Sequence, residues 1–244
     1  MHKFSPQEQQ QVAIKALEYA NSNPPVIGVV GLSGVGKSST LNAMFGTTLQ
    51  ISHTVACTKV LSEAEFELDV KTGLVAGEKV KIKVVDAPGL GESILSDPEY
   101  LRMYENHLAA CDIVLWIFSA NNRALALDQT YLQRFKPYFH KMVFAVNQVD
   151  AIIANGWNER INLPKNSTKI LISEIISDRQ EKIFEAIAQK TTVIEFSAER
   201  GYRLQKLFRA LIEKLPEDRR WLFDSLRIFS FRDFFPGEGR KWQR

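Results

Sequence analysis

Stretches of mostly apolar residues, each of strand length, recur along the chain at Val26–Val30, Val80–Val85, Ile113–Phe118, Met142–Val146 and Val193–Phe196. Runs without strict polar–apolar alternation suit strands covered on both faces, as in parallel sheets. Between them lie segments with apolar residues at helical spacing, near 38–46, 98–110, 125–138, 175–190 and 203–215. A further helix is predicted over 6–21. Ser5 and Glu8 can form a capping box around Pro6, and Val12, Ala13, Ala16, Leu17 and Ala20 fall on one face. Asn23-Pro24-Pro25 ends it, because proline has no N–H to donate and disfavours helix at the residue before it. Glu63–Val70 alternates and reads as a more exposed strand, which Gly73–Gly77 turns into the next one.

Alternation of this kind predicts an α/β fold: an open, mostly parallel sheet with helices on both faces and one antiparallel edge strand. Two stretches break the rhythm. Residues 151–169 are polar and loop-like and carry Gly156, Trp157 and Pro164. Residues 216–244 mix arginines with Trp221, Phe223, Phe229, Phe231, Phe234 and Phe235. The expected organisation is an amino-terminal helix over 1–25, a main α/β domain over 26–215 and an aromatic, basic extension over 216–244.

Composition narrows the class without choosing a function. At 244 residues, 45% apolar and 24% charged, the chain can bury a core without disulfides or structural metal. The longest clean apolar run, Ile113–Phe118, is far short of the roughly 20 residues of a membrane span. The opening MHKFSPQEQQ has no signal-peptide core, and Cys57 and Cys111 make no metal-binding spacing, so a cytoplasmic protein with reduced thiols is expected. A net charge of +3 is too mild to argue for nucleic acid by itself.

The chemistry gathers where the apolar runs end. Gly31-Leu32-Ser33-Gly34-Val35-Gly36-Lys37-Ser38 matches G-x-x-x-x-G-K-[ST] between a strand and a helix that continues through Ser39. The glycines let successive N–H groups turn toward one anion, and the following helix presents its positive end to phosphate. Lys37 is placed to reach the β- and γ-phosphates and the Ser38 hydroxyl to ligate Mg²⁺. This loop alone does not distinguish ATP from GTP. Asp86-Ala87-Pro88-Gly89 ends the Val80–Val85 run. Asp86 can hold the Mg²⁺ shell, and the Gly89 N–H can sense the γ-phosphate. Asn147-Gln148-Val149-Asp150 ends the next-to-last run. A carboxylate at Asp150 can accept two hydrogen bonds from guanine N1–H and its exocyclic amine, a donor pair adenine lacks. Asn147 would tie neighbouring loops together, and a backbone N–H of Ser197 or Ala198 can donate to guanine O6. Each fragment is weak alone; all four in order, each at a strand's carboxyl end, form a strong joint signal.

With these motifs in place, residues 26–215 resemble the translation-factor-like GTPases, the group that includes Era, TrmE, septins and immunity-related GTPases. The nearest resemblance is to bacterial YfjP/YeeP-like ribosome-binding GTPases, through Ala56-Cys57-Thr58-Lys59, Arg123-Ala124-Leu125, Trp157 and Pro164. The resemblance implies a P-loop G domain that binds GTP or GDP with Mg²⁺ and hydrolyses GTP slowly as a regulatory switch. It makes Thr58 a metal-joining switch threonine, with Thr54 the rival candidate, and implies catalytic parts for Lys37, Thr58 and Gly89. The nucleotide contacts it implies are Ser33, Gly34, Val35, Gly36, Lys37, Ser38, Ser39, Asn147, Gln148, Asp150, Ser197 and Ala198, with Ser38, Thr58 and Asp86 on the metal.

Three departures matter. Gln148 stands where the usual base-reading motif has lysine, Leu90 where many GTPases have a water-orienting glutamine, and Gly34 where potassium-activated relatives have asparagine. The partner classes left open are ribosome or RNA, a protein effector, and a second copy assembling on the nucleotide face, in solution or at membranes in the septin or immunity-related manner. A module that binds but does not hydrolyse is the remaining alternative. Arg123 reads as an arginine finger in trans or as a cap of the next helix, His53 as a phosphate contact or an exposed loop residue, and Trp157 as a partner anchor, a cover for the base pocket or packing under the loop. The aromatic tail reads as a membrane- or RNA-docking segment or as chain packed back on the domain.

Overall fold

The computed structural model describes residues 5–45, 62–70, 74–87, 90, 98–122 and 125–220. The elements are α1 (Pro6–Ser22), β1 (Val26–Val30), α2 (Lys37–Phe45), β2 (Ser62–Asp69), β3 (Lys79–Asp86), α3 (Pro98–Ala110), β4 (Ile113–Ser119), α4 (Ala126–Arg134), β5 (Met142–Asn147), β6 (Trp157–Asn158), β7 (Leu163–Pro164), α5 (Asn166–Ile187), β8 (Val193–Glu195) and α6 (Leu204–Lys214). Six strands form one sheet in the order β2-β3-β1-β4-β5-β8. All neighbours are parallel except β2 and β3. The expected α/β sheet with one antiparallel edge strand is therefore present.

The two faces are covered by different helices. Ile27, Val29, Val80, Ile82, Val84, Leu115 and Ile117 pack under α1, α2 and α6 through Ala13, Leu17, Leu41, Met44, Leu207 and Leu211. Val114, Trp116, Phe118, Phe144 and Val146 pack under α3, α4 and α5 through Tyr104, Leu108, Tyr131, Leu132, Ile172 and Ile183. Every residue of β4 and β5 is buried, which is why both read as continuous apolar runs. The Ser5–Glu8 capping box forms as expected. At the far end of α1, Asn21 Nδ2 donates to Lys79 O (2.8 Å) and Lys81 N–H donates to Asn21 Oδ1 (2.9 Å), so this helix is knitted to β3.

The edge hairpin shows how alternation is used. On its outer face Lys79, Lys81 and Lys83 pair across the strands with Glu67, Glu65 and Glu63. Such exposed pairs contribute little stability each, but a charged edge strand discourages pairing with other chains.

The structure corrects the reading of 151–169. That stretch holds the short β6–β7 hairpin, and α5 starts at Asn166 where the sequence pattern placed the helix over 175–190. Asn166, Ser167 and Thr168 in the first turn look like loop residues, since their side chains compete for backbone partners. Here the Thr168 hydroxyl donates to Gly156 O (2.7 Å), anchoring the hairpin to the helix. The pattern over 125–138 likewise splits into α4 and a 3₁₀ segment over Lys136–Lys141 that contains Pro137. Beyond α6, Arg219 NH1 donates to Asn23 O (2.6 Å), so the start of the carboxyl extension returns to the amino-terminal edge of the sheet. The aromatic residues from Trp221 onward lie outside the described residues, as do His53, Thr54, Cys57, Thr58, Pro88, Gly89 and Arg123.

One buried carboxylate gives the fold a pH signature. Asp128 accepts a hydrogen bond from Trp116 Nε1 (3.3 Å), and burial pushes its pKa up to about 6 from an ordinary 3.8, against the opposing pull of the Trp116 bond and the Arg179 charge. A carboxylate raised in the folded state favours folding while protonated, and that contribution disappears as pH rises through the folded value. Asp128→Asn keeps an acceptor for Trp116 and removes the titration. The variant should gain on wild type between pH 4 and about 6.5, by on the order of 2 kcal/mol, and hold that lead above. Denaturant unfolding across that range checks this; a pH-independent difference between the two proteins contradicts it.

Candidate functional site

The carboxyl ends of β1, β3, β5 and β8 bring the four sequence motifs to one edge of the sheet. Val35, buried at the tip of the first loop, anchors it in the core, and α2 begins at Lys37 with its first N–H groups directed into the loop. Lys37 Nζ donates to Gly31 O (3.1 Å) and Leu32 O (3.2 Å), which folds the ammonium over the loop it belongs to. Ser38 Oγ donates to Asp86 Oδ2 at 3.2 Å, bringing the helix start and the end of β3 together.

Asp86 Oδ1 is buried and has no hydrogen-bond partner among the described residues. Burial raises the Asp86 pKa above the usual carboxylate value, with the Lys37 charge and the Ser38 hydrogen bond pulling it back down. A hydroxyl and an orphaned carboxylate oxygen side by side suit a hard, oxygen-seeking divalent cation, which would satisfy the oxygen and offset the buried charge. The residues therefore fit Mg²⁺.

Asn147 is the tie between loops. Its Nδ2 donates to Val35 O (3.0 Å), and its Oδ1 accepts from Ala198 N–H (3.0 Å). Gly36 has φ +87°, and a Cβ there would lie 2.4 Å from Asn147 Nδ2, so this position needs glycine for both conformation and space. Gln148 adds a second tie. It adopts a left-handed conformation (φ 66°), donates through Nε2 to Gly34 O (3.1 Å), and accepts from Ser119 Oγ (2.5 Å) at the end of β4. A lysine in its place has no acceptor for that hydroxyl.

Asp150 sits on the one-turn 3₁₀ segment Val149–Ala151, pinned by the buried Val149. Its carboxylate is largely shielded, and Arg200 Nε lies 3.6 Å from Oδ2. Ser197 N–H and Ala198 N–H are both engaged, the first with Tyr202 O (3.1 Å) and the second with Asn147. A base oxygen approaching this loop would share the Ala198 donor rather than find a free one.

Several of these contacts were invisible in the sequence. Arg200, Glu159, Asn162 and Ser119 carry no motif; the contacts Ser119–Gln148, Asn162–Arg200 and Glu159–Arg200 span 29 to 41 residues, and Arg200–Asp150 lies farther apart still. Trp157 is buried against Tyr202, edge to face with centroids 5.1 Å apart, which removes the partner-anchor reading. Leu90 is also buried, and its backbone pairs with the phosphate loop, Leu90 N–H to Gly31 O (3.1 Å) and Ser33 N–H to Leu90 O (3.3 Å). Its side chain belongs to the core and takes no part in orienting water.

Comparisons with known proteins agree with this geometry. The YfjP protein of Escherichia coli K12 is 39% identical over 129 residues, covering 52% of this chain and 42% of that protein. GTPase Era of Aquifex aeolicus is 26% identical over 195 residues, covering 78% of this chain and 56% of Era. This chain thus spans about half the length of the curated relatives it matches. Among solved structures, a dimerization-deficient mutant of Toc33 from Arabidopsis thaliana superposes with a TM-score of 0.54 at 16% identity, covering 91% of this chain and 89% of that one; the likeness is one of fold. A family model described as 50S ribosome-binding GTPase matches residues 26–148, half of the chain, from the first strand through the phosphate loop and Asp86 to Asn147 and Gln148. The chain belongs to that family of P-loop GTPases.

Proposed function

We propose that this domain, residues 26–215 with α1 packed on it, binds GTP and GDP with Mg²⁺ and hydrolyses GTP slowly, as a switch. The observation that carries the proposal is the double anchorage of Asn147, which fastens the base-reading segment to both the phosphate loop and the Ala198 loop. A site so fastened has a phosphate end and a base end held at fixed separation, as a nucleotide requires.

In this reading the N–H groups from Ser33 to Ser39 wrap the phosphates, Lys37 reaches the β- and γ-phosphates, and Ser38 and Asp86 hold the cation. Mg²⁺, when bound, would supply positive charge that offsets the charge of the phosphates. Asp150 accepts guanine N1–H and the exocyclic amine, while Ala198 N–H is shared between Asn147 and guanine O6. Gln148 braces the phosphate loop. Thr58 completes the metal shell, and the Gly89 N–H senses the γ-phosphate. The two nucleotide states differ mainly over 52–58 and 89–98. Slow turnover follows from Leu90, a hydrocarbon side chain packed inward where a water-orienting group is needed.

For a partner, the family's description favours the ribosome or its RNA, reached from the cytoplasm. The second reading is assembly of two copies across the nucleotide face. It draws on the same Leu90 deficit and on a fold neighbour whose structure is described as showing dimerization to be important for GTPase activity. Salt-sensitive cosedimentation with ribosomes favours the first, GTP-dependent dimerisation the second.

Two outcomes test the chemistry. Lys37→Ala should lower GTP affinity by at least about a hundredfold, because hydrogen bonds to charged groups contribute roughly 1.5–3 kcal/mol each. Ser38→Ala should weaken binding in Mg²⁺ more than in chelator. Calorimetry finding Lys37→Ala unchanged removes the phosphate-loop assignment. If hydrolysis draws a group from a second copy, specific activity should climb with protein concentration and Arg123→Ala should flatten the climb. Initial rates strictly proportional to enzyme concentration, in wild type and variant alike, contradict assembly through that arginine.

A further inference from the structure

The β6–β7 hairpin docks on the base-reading side of the site and converges on one side chain, Arg200. Arg200 N–H donates to Ser197 Oγ (3.0 Å), and Arg200 O accepts from Asn162 Nδ2 (2.9 Å). Its guanidinium donates through NH1 to Glu159 Oε2 (2.5 Å) and lies over the Trp157 ring, 5.4 Å from the centroid. Trp157 Nε1 donates in turn to Asn162 Oδ1 (2.9 Å), which closes the hairpin on itself. Of its other two nitrogens, Nε is buried, has no hydrogen-bond partner among the described residues and faces Asp150 Oδ2 at 3.6 Å.

We infer that Arg200 is a positioning residue for guanine specificity, held by the Trp157–Glu159–Asn162 hairpin so that its inner edge fixes the carboxylate of Asp150. Two-pronged recognition requires both Asp150 oxygens to lie in the plane of the base. The carboxylate sits on a single 3₁₀ turn and would otherwise rotate. A cation held 3.6 Å from one oxygen restricts that rotation, and a planar guanidinium lying over an indole keeps its direction better than an ammonium. Ordinary exposed ion pairs do little because both partners move. Here Arg200 is fastened at its backbone, its ring contact and its outer nitrogen before it meets Asp150. The hairpin thereby acquires a role in selecting the base without touching it.

The inference rests on Asp150 reading guanine, so the experiment separates the two. Inosine triphosphate lacks the exocyclic amine, and the ratio of ITP to GTP dissociation constants reports the bond between that amine and Asp150. In wild type the ratio should be about ten- to a hundredfold. In Arg200→Ala it should fall to within about threefold of unity, GTP weakening much more than ITP. Arg200→Lys should recover only part of it. Glu159→Gln, which keeps Arg200 and loosens its outer anchor, should shift the ratio in the same direction by less, and it serves if Arg200→Ala does not fold. Equal losses for GTP and ITP, with the ratio unchanged in both variants, overturn the inference and leave Arg200 a purely structural residue. Asp150→Asn is the control. It should lose GTP and gain XTP, whose extra carbonyl an amide can meet. If it does neither, the guanine reading itself fails, and the role of Arg200 with it.

Discussion

The buried side-chain amide of Asn147 is bonded at both ends, to Val35 O on the phosphate loop and to Ala198 N–H beyond β8, and the site depends on this double bond. In an open parallel sheet the loops at the carboxyl edge leave different strands and have no backbone ladder to register them. A single amide, with one donor side and one acceptor side, can register two such loops at once. It also imposes a condition on its neighbour. The amide nitrogen fills the space that any Cβ at position 36 would need, so the glycine of the phosphate loop and the asparagine of the base motif are one packing solution.

Charge is arranged around that tie with the same economy. In the phosphate loop and at the end of β3, an ammonium, a hydroxyl and a part-buried carboxylate lie together, and one carboxylate oxygen has no hydrogen-bond partner among the described residues. At the base end, a carboxylate faces a guanidinium whose other contacts are made by the β6–β7 hairpin. Gln148 runs between the ends, from Gly34 to Ser119, using both halves of its amide where a lysine could only donate. The substitution of Gln148 for lysine therefore exchanges charge for a link to β4.

Much of the fold was legible because its determinants are local. Strands covered on both faces must be apolar throughout, so β1, β4 and β5 declared themselves, and the alternation over Glu63–Val70 marked the more exposed edge strand. The phosphate loop was legible because its glycines answer a backbone requirement at fixed spacing. The start of α5 was not, since Asn166, Ser167 and Thr168 favour loops until Thr168 finds Gly156. Nor was the pairing of Arg200 with Asp150, Glu159 and Trp157, because nothing in an isolated arginine states which distant residues will surround it. Leu90 lay between these cases: its inability to orient water was plain from its chemistry, and its place in the core emerged from the bridge to Leu32.

On the proposed function, these loops make a site for a guanine base and not for purine nucleotides at large. The direct measurement is displacement of a labelled GDP from the wild-type domain by unlabelled GTP and ATP in the presence of Mg²⁺. Two charge-assisted hydrogen bonds to Asp150 predict that GTP competes at least about a hundredfold better than ATP. Equal competition by the two would remove Asn147–Asp150 from base recognition and leave a phosphate loop that binds any nucleoside triphosphate.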